Sequence, residues 1–348
     1  MPPTVSILLP NLDNRPYLEE RIRSIQEQTF TDWELIVVDS YSRDGAWEYF
    51  QACAQTEKRL KIYQSPERGI YNNFNKCIRL AQGKYVYIAT SDDSMAPNAL
   101  AEMVSALEEN PGCDLAHCKL RIIDEASNAS DRKLWDNFFI VRYFGNLIEQ
   151  KHIRKAPHDG VLHFSGITVY TSLTQLLIKR SLFDRIGMFL ENYGAQADYE
   201  WVMRATLIAD TVHVPQYLAT WRFHSNQATS ENAANRAKAS GQFLKMAGHA
   251  LQIARQHNPM LIKPLNIKKL KHVMQKEKLY YQIKNSRNTF KTICLLLKWT
   301  FMNPRLLLEF KRAQAEKKDF ISQAGFLAYI KKMIADHHLE KNLVIKEE

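Results

Sequence analysis

Three short apolar runs, at residues 5–9, 34–38 and 85–89, each break off at polar or acidic side chains, and this repeated ending constrains the fold of the 348-residue chain. Val5-Ser6-Ile7-Leu8-Leu9 stops at Pro10 and Asn11, Glu34-Leu35-Ile36-Val37-Val38 stops at Asp39, and Tyr85-Val86-Tyr87-Ile88-Ala89 runs through Thr90 and Ser91 into Asp92 and Asp93. Each run is too brief for a helix and reads as a strand covered on both faces. The intervals between runs accommodate helices, and residues 15–28 carry Leu18, Ile22 and Ile25 at helical spacing. Such β-α-β alternation specifies a mostly parallel, Rossmann-like α/β sheet flanked by helices, with ligands outside the carboxyl ends of the strands. Asn11, Asp39, Asp92 and Asp93 are therefore expected in one cleft. Two adjacent carboxylates at such an edge either border a solvated turn or are compensated by donors or a hard divalent cation.

The order and spacing of these segments resemble the family 2 glycosyltransferases of GT-A fold. The residues that carry the resemblance are 5–11, 34–39 with Asp44-Gly45, 68–76 (Arg68-Gly69-Ile70-Tyr71-Asn72-Asn73-Phe74-Asn75-Lys76), 81–85 and Ser91-Asp92-Asp93. It covers about the first two thirds of the chain. Ser40 and Tyr41 depart from the family pattern after Asp39, as does Phe74 where many relatives carry arginine.

The resemblance implies an inverting, metal-dependent transfer of a sugar from a nucleotide diphosphate, UDP in the first instance, to a hydroxyl of a glycan or lipid-linked glycan in cell-surface polysaccharide synthesis. Pro10, Asn11, Asp39, Asn72, Asn75, Ser91 and Asp92 would bind the donor, with Asp39 accepting from the base and Asp92 holding the ribose. Asp93 would hold Mg²⁺ or Mn²⁺, joined by His224 as a further ligand. Asp198, in Gln196-Ala197-Asp198-Tyr199-Glu200-Trp201, would be the general base that a sugar hydroxyl requires. Glu200 and Arg204, two and six residues on, are second choices with structural roles. The segment His163-Phe164-Ser165-Gly166 and Arg222 are further candidates for acceptor or phosphate contact. Two other readings are a nucleotidyltransferase using the same cleft and a non-catalytic binder of nucleotide sugars or carbohydrate.

Charge divides the chain unevenly. Residues 231–348 hold 23 Lys and Arg against 9 Asp and Glu, so the whole excess of a chain with net charge +10 lies there. Domains are accordingly expected at 1–230, catalytic, with a nucleotide-sugar half (1–95) and an acceptor half (96–230), and at 231–348, a basic helical C-terminal region with a hinge near 226–240. The apolar stretches within 267–283 and 290–302 suit amphipathic helices that either pack on the catalytic unit or lie on an anionic membrane surface. The acidic catalytic half and the lack of a recognition fold argue against nucleic acid. Five irregularly spaced cysteines read as reduced thiols, and no secretory leader is evident, so a cytoplasmic protein, peripheral at the inner face of the plasma membrane, is expected.

Overall fold

The computed structural model describes residues 1–67, 69–129, 138–223 and 236–260, then 289–315, 338–346 and several shorter pieces between. The strands are β1 (Val5–Asn11), β2 (Trp33–Asp39), β3 (Leu60–Gln64), β4 (Tyr85–Ile88), β5 (Cys113–Ile123), β6 (His152–Arg154), β7 (Leu176–Lys179), β8 (Asp210–Arg222) and β9 (Leu343–Ile345). The helices are α1 (Arg15–Gln26), α2 (Ala46–Thr56), α3 (Ile70–Leu80), α4 (Ala99–Glu109), α5 (Phe139–Phe144), α6 (His158–Phe164), α7 (Ser181–Ile186), α8 (Ala197–Thr206), α9 (Arg236–His257), α10 (Thr289–Met302) and α11 (Pro304–Ala315).

The strands form one sheet in the order β3-β2-β1-β4-β7-β5-β8-β6-β9. β3, β2, β1 and β4 run parallel, as the three apolar runs predict, and β7 enters antiparallel between β4 and β5. Every residue of β1 and β2 is buried, which is why these runs are apolar on both faces. Register sets Asn11 beside Asp39 and Leu8 beside Ile88, so the ends of β1, β2 and β4 open at one edge. β4 ends at Ile88, four residues before Asp92, so the two acids sit in the turn that follows and not on the strand.

The C-terminal region rejoins this body. α9 packs against α8 through Met246, Ala247, Ala250, Leu251 and Ala254, all buried, and β9 pairs antiparallel with β6. The described residues past 230 thus include one helix packed on the catalytic core and one strand of its sheet. Most of the expected hinge, 226–235, lies outside the described residues.

Beneath the β5–β8–β6 half of the sheet lies a polar interior the sequence does not announce. His213 donates from Nε2 to the Ile148 carbonyl (2.8 Å), which leaves its Nδ1 to accept from His117 Nδ1 (3.0 Å), and His117 Nε2 then accepts from Gln175 (3.1 Å). Arg154 donates to Asp159 (2.7 Å) and to His152 Nε2 (3.1 Å), and Asp159 also accepts from His158 (2.8 Å) and Tyr170 (2.6 Å). One hydrogen-bond assignment satisfies this chain only with His117, His152 and His213 neutral. Burial first, and then the Arg154 charge, holds His117 and His213 well below the ordinary imidazole range and pushes His152 down to about 3. Burial opposes ionisation of Asp159 too, but Arg154 and His158 overcome it and hold its carboxyl far below the usual range.

His163, at the end of α6, is pushed down to about 4 by burial, and neither ring nitrogen has a hydrogen-bond partner among the described residues. A group whose folded pKa is depressed below the unfolded value of about 6.5 adds stability above that value, and the contribution is lost as pH falls towards the folded pKa. His163→Phe should therefore leave stability at pH 8 nearly unchanged. Between about pH 6.5 and 4 its urea-unfolding free energy should fall less steeply than that of the parent, by about 1.4 kcal/mol per pH unit. Parallel slopes for the two proteins would show that His163 titrates normally.

Candidate functional site

At the shared edge of β1 and β2, Asp39 is buried and accepts from Asn11 Nδ2 (2.9 Å), the Ser42 backbone N–H (2.9 Å) and the Ser42 hydroxyl (2.6 Å). Its carboxylate thus shapes the 40–42 turn, at whose tip Tyr41 adopts φ of 56° and stands exposed. A carboxylate has about four acceptor positions, so one is left for a ligand N–H. Pro10 is buried in β1 just before Asn11. Asn11 Oδ1 is itself buried without a partner among the described residues.

Asn73, which sequence reasoning passed over, donates to Ser40 Oγ (2.6 Å), and its Oδ1 is buried without a partner among the described residues. Ser40 in turn donates its N–H to the Asn11 carbonyl (2.9 Å). Two unsatisfied amide oxygens beside one turn are costly unless a ligand donor reaches them.

Asn72 and Asn75 are placed differently. Asn75 is buried and exchanges two hydrogen bonds with the Phe189 backbone (2.9 and 3.0 Å), so both ends of its amide serve the fold. Asn72, with its amide nitrogen turned to Glu191, donates to that carboxylate. Phe74 is buried against Phe189 and Tyr71, which accounts for an aromatic residue at that position. α3 therefore grips the 186–191 segment that leads to α8.

The acidic turn is held from β8. Asp93, 2% exposed, accepts from the Arg222 backbone N–H (2.7 Å) at Oδ1 and from the Thr90 hydroxyl at Oδ2. Burial, and next the charge of Asp92, pushes its pKa up to about 7, while buried Arg21 opposes the rise. The buried Arg222 side chain donates to the carbonyls of Asp92 (2.6 Å) and Asp124 (3.0 Å), to Ser127 Oγ (2.9 Å) and to Glu20 (2.7 Å). Ser91 Oγ accepts from Asn14 (2.7 Å).

Each oxygen of Asp93 accepts one hydrogen bond within the fold, and Asp92 beside it is half-buried. Arg222 is likewise a brace and not a phosphate contact. His224 lies outside the described residues, among which no cluster of three or more His, Cys, Asp or Glu could hold a metal. One or two carboxylates completed by water and substrate phosphates are the usual donor set of Mg²⁺, and Asp92 and Asp93 are the two carboxylates of this turn.

Across the cleft, Asp198 is half-buried in the first turn of α8, where the Tyr199 N–H donates to its Oδ1 (2.6 Å). Burial pushes its pKa up to about 6, moderated by that N–H and by a hydrogen bond from Tyr71. Glu200 and Arg204 are buried and paired to each other (2.8 and 3.0 Å), with His249 of α9 on Glu200 (2.7 Å), so they are structural. The 163–166 segment ends α6 with His163 inside the protein, and Gly166 turns at φ of 88°.

Comparison with known proteins places this geometry. The sequence model described as Glycosyl transferase family 2 matches residues 6–170. The GalNAc(5)-diNAcBac-PP-undecaprenol beta-1,3-glucosyltransferase of Campylobacter jejuni is 28% identical over 130 residues, 37% of this chain and 41% of that protein. The crystal structure of S. aureus TarS 1-349 with UDP-GlcNAc superposes with a TM-score of 0.59 at 13% identity, covering 97% of this chain and 89% of that one. The mannosyltransferase PcManGT of Pyrobaculum calidifontis, in complex with GDP-Man and Mn²⁺, gives 0.53 at 18% identity over 98% and 88%. These structures establish the GT-A fold.

The two acids of the turn should separate in mutagenesis. Asp92→Asn should keep its melting temperature and lose the Mn²⁺-dependent part of nucleotide affinity. Asp93→Asn should be destabilised by about 2–3 kcal/mol, since it disturbs two buried hydrogen bonds and removes the carboxylate that faces Arg21. Thermal melts and calorimetric titration of UDP with and without Mn²⁺ check both outcomes. The opposite assignment would return the metal to Asp93.

Proposed function

The chain belongs to glycosyl transferase family 2, and on that premise we propose that this glycosyltransferase moves a sugar from a nucleotide diphosphate, UDP in the first instance, to a hydroxyl of a glycan or lipid-linked glycan, with inversion. The observation that carries the reading is the Asp198 carboxyl at the start of α8, raised to about 6 by burial and held by Tyr71 from the donor-side helix. A general base works best when its pKa lies near the operating pH.

In this reading Asp39 receives the one imide N–H that a uracil base offers, and Asp92 faces the ribose and diphosphate. Asp92 would hold Mg²⁺ or Mn²⁺, with His224 as a further candidate ligand, and the ion when bound neutralises the charge that develops on the diphosphate. Asp198 takes the proton of the acceptor hydroxyl as its oxygen attacks the anomeric carbon. The bond from that carbon to the diphosphate oxygen breaks, and the nucleoside diphosphate leaves with the electron pair. The neighbours support a nucleotide-sugar donor: TarS is bound to UDP-GlcNAc and PcManGT to GDP-Man. The Campylobacter relative supports a lipid-linked acceptor.

Asp198→Asn should retain donor affinity and lose about 10²- to 10⁴-fold in kcat. Because the base acts deprotonated, kcat/KM of the parent should rise with pH through about 6 and level off above it. Tyr71→Phe removes a hydrogen bond that favours the carboxylate, so its profile should move to higher pH. Product analysis separates the alternatives, since a nucleotidyltransferase releases pyrophosphate and a silent binder releases nothing. Near-native transfer by Asp198→Asn with donor bound would assign the base elsewhere.

A further inference from the structure

The basic C-terminal region divides in the structure. α9 is packed on the catalytic core, whereas α10 is packed on one side only. Trp299 and Leu296 turn towards Leu306 and Ile283, forming a small cluster of their own. On the opposite side Ile293, Leu297 and Phe301 recur every four residues and are 50%, 57% and 89% exposed. Cys294 is exposed next to Ile293.

A continuous apolar row facing water is expensive and marks a contact. Burying three such side chains at a contact takes their apolar surface out of water, which favours the bound state. Exposed Lys298 lies about 100° round the helix from Leu297, and Arg305 begins α11 with its side chain in solvent. The surrounding segment is strongly cationic, with 23 Lys and Arg against 9 Asp and Glu after residue 230. Apolar side chains flanked by cations suit a partner that is apolar inside and anionic at its surface. No helix among the described residues is long and apolar enough to cross a membrane.

We propose that the Ile293–Leu297–Phe301 face of α10 is a docking surface for an anionic lipid bilayer, on which the helix lies parallel to the membrane plane with this row in the acyl boundary. The inference is independent of the transfer chemistry and would hold for an inactive variant.

The full-length protein is tested by flotation with vesicles of phosphatidylcholine alone and of phosphatidylcholine with phosphatidylglycerol. Binding is expected only to the anionic vesicles, and Leu297→Glu with Phe301→Glu should reduce it at least tenfold while circular dichroism and UDP affinity stay as in the parent. A second readout needs no charge change: a polarity-sensitive dye on Cys294, in a Cys53→Ser background, should shift to the blue on the same vesicles. Equal flotation of parent and double variant, or a dye insensitive to vesicles that bind, would overturn the proposal. So would a sedimenting dimer that the double variant dissolves without any vesicle binding by the parent, because the row would then be an interface between two copies.

Discussion

Arg222 is the interaction on which the cleft depends. Its backbone N–H and guanidinium together bind Asp93, the Asp92 carbonyl, the 124–127 turn and Glu20 of α1. A buried guanidinium is tolerated only when its donors are matched, and here the acceptors come from three segments distant in sequence. The last residue of β8 thereby fixes the turn after β4, although β7 and β5 lie between those strands in the sheet. The placement of two adjacent carboxylates follows from this. Asp93 is drawn inside to receive the Arg222 N–H, and Asp92 is left half-buried.

The donor edge and the proposed base are joined by α3 in the same manner. Asn73 holds the Ser40 turn, Asn72 and Asn75 hold the 189–191 segment, and Tyr71 reaches Asp198. Residues on successive turns of a short helix thus contact both walls of the cleft. A rigid element between nucleotide and base keeps the reacting groups in register, which is worth more to a bimolecular transfer than any single contact. Gly69, at φ of 128°, lets the chain enter this helix at an angle that other residues rarely adopt.

The parallel half of the sheet was legible because burial on both faces writes itself as unbroken apolar runs, and strand ends write themselves as Asn11, Asp39 and the acidic turn. Which of Asp92 and Asp93 is drawn inside was not legible. Adjacent residues in a turn have no periodicity to say which points inwards, and the partner that decides it, Arg222, is 129 residues away from Asp93. Which surfaces Asn72, Asn73 and Asn75 meet was hidden for a related reason. A helix face can be read from apolar spacing, but three amides and a Phe give no sign of which surface each meets. The histidine interior was invisible because His117, His152 and His213 come from three strands, and it takes both the parallel pairing of β5 with β8 and the antiparallel pairing of β6 with β8 to put them together.

The electrostatics of α8 support the proposal for Asp198. A cation six residues along the same helix would lower the pKa of Asp198 and weaken it as a base, since proton-taking power falls with pKa. Arg204 does not act this way, because Glu200 accepts from it twice and the Ile186 and Met188 carbonyls take two more of its five donors. The guanidinium is neutralised within its own turn of helix. What remains at Asp198 is burial, which raises its pKa, against the Tyr199 N–H and the Tyr71 hydroxyl, which lower it. A strong ion pair close to the base is therefore compatible with a carboxyl tuned towards neutrality, provided the pair is closed on itself, and the buried position of both Glu200 and Arg204 keeps it closed.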